Sequence, residues 1–251
     1  MIFQDPMSSM NPLLPIGDQV GEMIWAHDRS LNRNNREAKV LELLRMVRIP
    51  EAKKRLRSYP HEFSGGMRQR VMIAMALACR PSLLIADEPT TALDVSIQDQ
   101  ILTLMRGLQA ELGMSIAFIT HDLGVVAELC SRVVVMYGGL VMEEALIDDL
   151  FERPLHPYTR GLLASIPNIR QDKSKRLDPI PGSPPDMSRP PEGCPFAPRC
   201  AHARYVCAAE LPPLLAVEDG RYCRCWLCDP GAPATDNPLR LEPAGKGGGP
   251  A

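Results

Sequence analysis

The residues best suited to chemistry lie in residues 63–94, which combine a glycine turn with a pair of acids. Ser64, Gly65 and Gly66 come just before a segment with apolar residues at helical spacing, so they lie at a predicted helix N-terminus. A serine cap and two glycines let a ligand approach the backbone N–H groups closely. Such a helix end favours anions, phosphate above all. The turn is therefore a candidate phosphate site.

The pair of acids follows in the same stretch. Asp87 and Glu88 come directly after the apolar residues 83–86, which predict a strand buried on both faces. Open parallel sheets bind their ligands at the carboxyl ends of the strands. An aspartate there can hold Mg²⁺, and a glutamate beside it can orient or deprotonate a water. Such a pair alone is weak evidence for a catalytic site, because most Asp-Glu pairs after an apolar run are solvated strand ends. The spacing between this pair and the glycine turn makes the combined pattern specific.

Helices and strands alternate around these groups. Apolar spacing predicts helices over residues 16–27, 36–47 and 95–112 and a buried strand over 115–120. Asp94 is predicted to cap the third of these helices. The pattern indicates an α/β fold, because strands separated by helices build parallel sheets.

Two further polar residues, Gln4 and His121, stand where predicted strands end. Residues 1–4 read as the last part of a strand, and residues 115–120 form the strand before the histidine. A lone strand-end amide is ordinarily exposed, and a lone strand-end histidine is ordinarily structural or solvated. Any role for them therefore depends on the motifs around them.

Composition narrows the class of protein. The 251 residues are 45% hydrophobic and carry a net charge of -2, which gives no basic balance to suggest nucleic acid. No run of eighteen apolar residues predicts a membrane span, and the opening lacks the basic region of a signal peptide. We therefore expect a cytosolic protein unless partners hold it to a membrane. Six of the eight cysteines lie in residues 194–228, which in a reducing compartment favours metal or cluster ligation over disulfides.

Taken together, the motifs resemble those of ABC-transporter ATPases. The glycine turn, in FSGGMRQR, resembles their signature motif, although Phe63 and Met67 depart from the common LSGGQ. The strand and its acids resemble Walker B in LLIADEP, and the next residues resemble the D-loop in TTALD. The opening is similar to the Q-loop in IFQDPMSSMNP, and the later strand end is similar to the H-loop in THD. The oligopeptide/dipeptide importer branch is indicated by YPHEFSGGMRQR, by RPLHPYTRGLLASIP and by the cysteine block.

This resemblance implies the α/β sheet of a P-loop NTPase with a helical subdomain and an irregular, cysteine-rich C-terminal extension. It implies a partial nucleotide-binding domain over residues 1–150, with the helical subdomain at about 13–80, an extension over 151–228 and a disordered tail over 229–251. The family carries a GxxxxGK[ST] loop, Walker A, before the Q-loop, and the 251 residues contain none. We therefore expect an N-terminally truncated member that lacks the first strands of the sheet, exposes apolar edges and hydrolyses ATP poorly by itself.

The resemblance also implies roles for individual residues. Two ATPase subunits close head to tail around two ATP molecules, so each signature turn serves the ATP of the partner. The implied catalytic residues are Glu88, His121 and Gln4; the implied nucleotide-binding residues are Ser64, Gly65, Gly66, Asp87 and Asp94; and Mg²⁺ is implied at Asp87 and Gln4.

The cysteine block has the spacing Cx5C, x6, C, x17, C, which differs from the paired CxxC knuckles of zinc sites. It resembles the site of this subfamily at which four thiolates hold a [4Fe-4S] cluster. By that resemblance the ligands are Cys194, Cys200, Cys207 and Cys225, with Cys223 a competitor for the fourth place. A zinc-stapled or cluster-free loop remains an alternative.

The implied function is that of an ATP-hydrolysing subunit that powers import of di- or oligopeptides. Its implied partners are a second ATPase subunit, identical or paralogous, two membrane permease subunits and an extracytoplasmic solute-binding protein, which places it peripherally on the cytoplasmic face of the membrane. Nickel and certain sugars are carried by relatives of the same branch. One alternative is a non-catalytic subunit that lends its signature turn to a complete ATPase. Another is an ABC ATPase that acts on DNA, but that class needs long heptad repeats or a basic face, and the sequence has neither.

Overall fold

The computed structural model describes residues 1–6, 8–91, 93–166 and 179–232, which form two compact units. The first unit is Met1–Leu129 and the second is Cys130–Ala251. The predicted α/β class is confirmed, because the first unit combines parallel strands with helices and the second contains an antiparallel sheet. The functional domain limits at residues 150 and 228 stay predictions. In the described part of the chain, no helix combines the length and apolarity needed to cross a bilayer.

Helices form most of the first unit. Its helices are α1 (Ile16–His27), α2 (Arg33–Met46), α3 (Ala52–Arg55), α4 (Gly65–Leu77), α5 (Val95–Leu112) and α6 (Leu123–Leu129). The apolar face predicted for α2 is confirmed, because Val40, Leu43 and Leu44 are buried in the core of the unit. Helix α5 ends at Gly113, whose φ of 64° is the left-handed conformation that glycine adopts freely at a helix end.

Two parallel strands, β1 (Leu83–Asp87) and β2 (Ser115–Ile119), lie side by side in register from Leu83 opposite Ser115. Ile2 extends this pair on the other side of β1, where its N–H donates to the Ile85 carbonyl at 2.8 Å and its carbonyl accepts from the Asp87 N–H at 2.9 Å. Three neighbouring segments therefore run in parallel, and their carboxyl ends meet at one edge.

Strand β1 is buried on one face, so the prediction of burial on both faces is wrong. Leu84 and Ala86 are buried against the helices of the unit, whereas Leu83 is 54% and Ile85 is 37% exposed. Ile119 of β2 is also exposed. Side chains alternate across a strand, and in the described residues the helices of this unit cover one side of these strands only.

The second unit contains a four-stranded antiparallel sheet. Its strands are β3 (Arg132–Tyr137), β4 (Leu140–Leu146), β5 (Leu215–Glu218) and β6 (Arg221–Cys223), in the order β3-β4-β6-β5. Strands β3 and β4 form a hairpin whose turn is Gly138 and Gly139, and their φ values of 56° and 75° suit a two-residue turn. The sequence pattern did not predict β5 and β6, which add to the sheet from the segment expected to be irregular.

Short helices complete the second unit: α7 (Ile147–Glu152), α8 (Pro157–Ala164) and α9 (Tyr205–Ala209). Residues 179–193 contain neither helix nor strand, as their proline content predicts. Residues 173–178, just before this segment, and most of the predicted tail, residues 233–251, lie outside the described part of the chain.

Candidate nucleotide site and cysteine cavity

Three of the predicted site residues meet at the carboxyl edge of the parallel strands. Gln4 follows the segment of Ile2, Glu88 follows β1, and His121 follows β2. The Gln4 Nε2 donates to Glu88 Oε2 at 2.7 Å, and the His121 Nδ1 lies 3.1 Å from Glu88 Oε1. The strand-end placement expected from the sequence therefore brings these side chains into direct contact, with Glu88 at the centre.

The backbone of Glu88 has an uncommon conformation. Its φ is 43°, in the left-handed region that residues other than glycine seldom adopt. Its N–H donates to the Ile119 carbonyl at 2.8 Å, and its carbonyl accepts from the Thr91 N–H at 3.2 Å. Such conformations persist where the surroundings determine them, and they are frequent at functional sites.

Thr91 is a contact of Glu88 that motif matching alone did not single out. Its hydroxyl donates to Glu88 Oε2 at 2.8 Å. This hydrogen bond, followed by that from His121, lowers the pKa of Glu88 below its ordinary value. A depressed pKa keeps the carboxylate ionised at neutral pH. Because an ionised carboxylate only accepts, the His121 Nδ1 facing it carries a proton, which leaves Nε2 for another group.

Asp87 and the loop after Gln4 frame this site. No described residue donates a hydrogen bond to the Asp87 carboxylate, which sits at the end of β1. The loop is held by the buried Gln19, whose amide accepts from the Asn11 N–H at 2.9 Å and donates to the carbonyls of Asn11 at 2.9 Å and Leu14 at 2.8 Å. This side-chain anchor was also missed, because a glutamine within a helix pattern gives no local sign of burial.

The signature turn forms a separate surface of the first unit. The Ser64 hydroxyl caps α4 by accepting from the Met67 N–H at 3.4 Å, as predicted. A Cβ on Gly66 would lie 2.7 Å from Ile97 Cγ2, whereas one on Gly65 would meet its nearest side chain at 3.8 Å. Gly66 is thus needed for helix packing and Gly65 is sterically free. No hydrogen bond between described residues joins this turn to Glu88.

Asp94 acts as a helix cap in this structure. Its Oδ1 accepts from the Ile97 N–H at 3.0 Å at the start of α5. Asp122 does the same for α6, because its Oδ1 accepts from the Gly124 N–H at 2.8 Å, and its Oδ2 accepts from Gln98 Nε2 at 3.1 Å. The second contact ties α5 to the residue that follows His121.

In the second unit, the four cysteines predicted to bind a cluster line one cavity. The cavity lining combines these thiols, Cys194, Cys200, Cys207 and Cys225, with His156, His202, Trp226 and apolar side chains; Cys223 is outside it. The Cys194 N–H donates to the Cys207 carbonyl at 2.7 Å. Gly193 permits this approach, because a Cβ there would lie 2.3 Å from the same carbonyl oxygen.

Two of the four thiols of this cavity, those of Cys194 and Cys225, are buried, and those of Cys200 and Cys207 are partly exposed. Burial raises the pKa of Cys194 to about 11 and also raises the pKa of Cys200. A hydrogen bond with Cys228 raises the pKa of Cys225, and hydrogen bonds with Cys223 and then Cys225 lower the pKa of Cys228. In the described ranges, no three His, Cys, Asp or Glu side chains are arranged to hold one metal ion. A four-iron cluster attaches each thiolate to a different iron, so it suits thiols that share a cavity but do not converge on one point.

A buried polar group supports one wall of this cavity. The fully buried Glu143 of β4 accepts from the N–H groups of Leu155 at 2.8 Å and His156 at 2.9 Å, and its carboxylate lies 4.0 Å from the buried Arg221. His156 caps α8 by accepting at Nδ1 from the Tyr158 N–H at 3.0 Å. Burial lowers the pKa of His156 to about 4, so the ring is neutral.

Two family models match the chain. One, described as "ABC transporter", matches residues 1–91, and the other, "Oligopeptide/dipeptide transporter, C-terminal region", matches residues 142–207. The first covers Gln4, Ser64 and Glu88 and ends before His121. The second covers the α8 region and the first three cysteines of the cavity.

Curated relatives are similar over nearly the whole chain. The oligopeptide transport ATP-binding protein OppD of Bacillus subtilis is 50% identical over 242 residues, which cover 96% of this chain and 67% of that protein. The dipeptide transport ATP-binding protein DppD of the same organism is 50% identical, over 91% of this chain and 68% of that protein. The probable peptide ABC transporter ATP-binding protein y4tR of Sinorhizobium fredii is 54% identical, over 90% of this chain and 67% of that protein.

Solved structures show the same likeness over a shorter range. The dimeric ATP-binding cassette MJ0796 bound to ADP and Pi, in a post-hydrolysis state, is 31% identical, with a TM-score of 0.50 over 58% of this chain and 62% of that chain. The cbiO1 protein of Clostridium perfringens, part of an ABC transporter complex, is 30% identical, with a TM-score of 0.53. The match covers 61% of this chain and 59% of that chain. The chain thus spans about two thirds of the curated relatives and about 60% of these solved chains.

Proposed function

The chain belongs to the ABC-transporter ATPases, in the branch of oligopeptide and dipeptide transport ATP-binding proteins, and we propose that it couples ATP hydrolysis to the import of di- or oligopeptides. The observation that carries this proposal is the contact of Gln4 and His121 with Glu88 at three neighbouring strand ends. Hydrolysis of a phosphoanhydride needs a group that orients the attacking water and groups that stabilise the developing charge.

Each member of this site has a role in that reaction. Glu88, ionised and facing the strand edge, accepts the proton of the attacking water. His121, with Nδ1 directed at Glu88, has Nε2 available for a γ-phosphate oxygen. Asp87 and Gln4 supply the oxygen ligands that Mg²⁺ prefers. When bound, ATP and Mg²⁺ supply the phosphoryl group and neutralise its charge.

The signature turn serves the nucleotide of a second ATPase subunit. Ser64 and the sterically free Gly65 offer backbone N–H groups at the start of α4, which is the kind of end that binds phosphate. Gly66 and Asp94 contribute indirectly, because they fix the contact of α4 with α5 and the start of α5. The separation of this turn from Glu88 supports a division of one ATP site between two subunits.

The partners of the assembly follow from this role. Two membrane permease subunits form the translocation path, and an extracytoplasmic solute-binding protein delivers the peptide. The subunit lies peripherally on the cytoplasmic face of the membrane. Closure of the ATPase dimer acts on the permeases through the loop after Gln4, and the three hydrogen bonds of Gln19 make that loop stiff enough to transmit a displacement.

The cysteine cavity is proposed to hold a [4Fe-4S] cluster through Cys194, Cys200, Cys207 and Cys225. The chemistry of the donor set supports this, because four thiols share one cavity that excludes Cys223. Such a cluster supplies an iron–sulfur centre whose potential depends on burial and hydrogen bonds to sulfur. Anaerobically purified protein with Cys225→Ser should lose its bound iron, whereas Cys228→Ser should retain it. Equal iron content in both variants, or zinc in the wild-type protein, would refute the assignment.

The test of the catalytic proposal is hydrolysis by the protein made from its native locus and purified with its permease subunits. Glu88→Gln keeps the shape of the side chain and removes its basicity, so the hydrolysis rate should fall by about 100-fold or more. Glu111→Gln, at an exposed position of α5, is the matched control. A Glu88→Gln assembly that hydrolyses ATP at the wild-type rate would favour the non-catalytic role, in which only Ser64, Gly65 and Gly66 are used.

A further inference from the structure

Thr91 makes two contacts with the central carboxylate residue. Its backbone N–H donates to the Glu88 carbonyl at 3.2 Å, which closes the turn after β1. Its hydroxyl donates to Glu88 Oε2 at 2.8 Å. The side chain of Thr91 is exposed, so the hydroxyl contributes little to the core and makes its hydrogen bond at the edge of the proposed site.

The two carboxylate oxygens of Glu88 are not equivalent. Oε2 accepts from both Thr91 and Gln4, at 2.8 and 2.7 Å. Oε1 has His121 as its contact, at 3.1 Å. A carboxylate oxygen offers about two acceptor sites, so Oε2 is saturated and Oε1 keeps capacity for a further proton donor.

We propose that Thr91 is a positioning residue for hydrolysis, whose hydroxyl holds Oε2 of Glu88 so that Oε1 is the oxygen presented to the attacking water. This rests on the proposed role of Glu88 as the base. Gln4 and His121 reach Glu88 from other strand ends, and the proposed function directs both of them to Mg²⁺ and phosphate. Thr91 lies in the same turn as Glu88, so it holds the carboxylate from within that turn, whereas the other two residues also serve Mg²⁺ or phosphate.

The hydroxyl can be separated from the turn itself. Every residue except proline keeps the N–H that closes the turn, so Thr91→Val removes the hydroxyl with little change in shape, and Thr91→Ser restores it. Thr103→Val is the matched control, because Thr103 is an exposed threonine of α5 that makes no hydrogen bond to the Glu88 group. A purely structural role of the turn would leave valine and serine equivalent.

The first measurement is steady-state hydrolysis by the assembled transporter. Thr91→Val should lower kcat by about 10- to 100-fold, the scale of loss for a misplaced reacting group, with KM for ATP unchanged. Thr91→Ser should recover most of kcat, and Thr103→Val should match the wild type. A valine variant within about twofold of the wild-type kcat would overturn the proposal, since that is far below the loss expected from misplacement.

The second measurement is the position of the carboxylate in crystals of the full chain with each substitution. Thr91→Val should let the Glu88 side chain leave His121, so that the 3.1 Å contact of Oε1 is lost, and Thr91→Ser should keep it. An unchanged carboxylate in the valine variant would refute the positioning role even if kcat fell. If Glu88→Gln leaves hydrolysis unchanged, the proposed function fails instead, and the crystals still decide whether Thr91 holds the carboxylate.

Discussion

The two candidate sites of this chain hold their functional groups in opposite ways. At the strand ends of the first unit, the His121 side chain is 76% exposed and that of Glu88 is 24% exposed, and side-chain hydrogen bonds at the edge of the sheet hold them. In the second unit, Cys194, Cys225, Glu143 and Arg221 are all buried. The first site is open to a ligand and a partner, and the second is enclosed by its own chain.

This difference separates activity from stability. Exposed groups held by side-chain hydrogen bonds cost little to change in the folded state, so their substitution should be seen mainly in hydrolysis. Buried charges and thiols have exchanged water for protein partners, so their substitution should be seen mainly in the free energy of unfolding. The comparison can be tested in each unit separately, because Trp25 lies in the first and Trp226 in the second.

The largest effect on stability is expected at Glu143. Glu143→Ala leaves two N–H groups without their acceptor and removes one of the two carboxylates near the buried Arg221, which keeps Glu218 at 3.2 Å. The two unsatisfied N–H groups should cost about 2–6 kcal/mol. Urea unfolding followed by Trp226 fluorescence, in a Trp25→Phe background, measures this. The neighbouring Glu144 pairs with Arg132 near the surface, so Glu144→Ala should cost less than about 1 kcal/mol. If Glu143→Ala and Glu144→Ala lower the free energy of unfolding by similar amounts, the contrast between buried and exposed groups is wrong.

A somewhat smaller effect is expected from acid at His156. Its pKa is about 4 in the folded chain and near 6.5 when unfolded, so the unfolded chain binds the proton more readily. The free energy of unfolding should therefore fall as the pH drops from about 6.5 through about 4, by up to about 3 kcal/mol. His156→Asn keeps a helix-capping side chain and should flatten this acid dependence of the Trp226 transition. An unchanged dependence would show that other groups cause it.

The smallest stability effect belongs to the signature turn of the first unit. Gly66→Ala places a Cβ 2.7 Å from Ile97 Cγ2, and the required shift should cost about 1–3 kcal/mol in the Trp25 transition. Gly65→Ala meets only ordinary contact and should leave stability within about 0.5 kcal/mol. Because Gly65 is proposed to serve the ATP of a partner, its variant should nevertheless hydrolyse ATP more slowly. Equal losses of stability in Gly65→Ala and Gly66→Ala would contradict a packing role that belongs to Gly66 alone.

Local pattern predicted much of the first unit. Helix α1 begins and ends where its apolar spacing predicts, and the predicted caps Ser64 and Asp94 are confirmed. These features depend on residues a few positions apart, so neighbouring chemistry is enough to specify them. The meeting of Gln4, Glu88 and His121 was also predictable, because parallel strands bring their carboxyl ends to one edge.

Long-range pairing limited the remaining predictions. Strands β5 and β6 are short, and β6 pairs with β4 across about eighty residues of chain while β5 pairs with β6, so their own residues carry little signal. The exposure of Leu83 and Ile85 depends on which side of the strands the helices cover. The burial of Glu143 depends on Arg221, a residue distant in sequence.

The sequence by itself determined the motifs, their order, the helix caps and the placement of polar side chains at strand ends, because each is specified by residues close together in the chain. Only the tertiary structure decided that Thr91 and Gln4 share one oxygen of Glu88, that Cys225 rather than Cys223 lines the cavity, and that Glu143 is buried. The physical reason is that these contacts depend on the direction in which each side chain points once distant segments have packed.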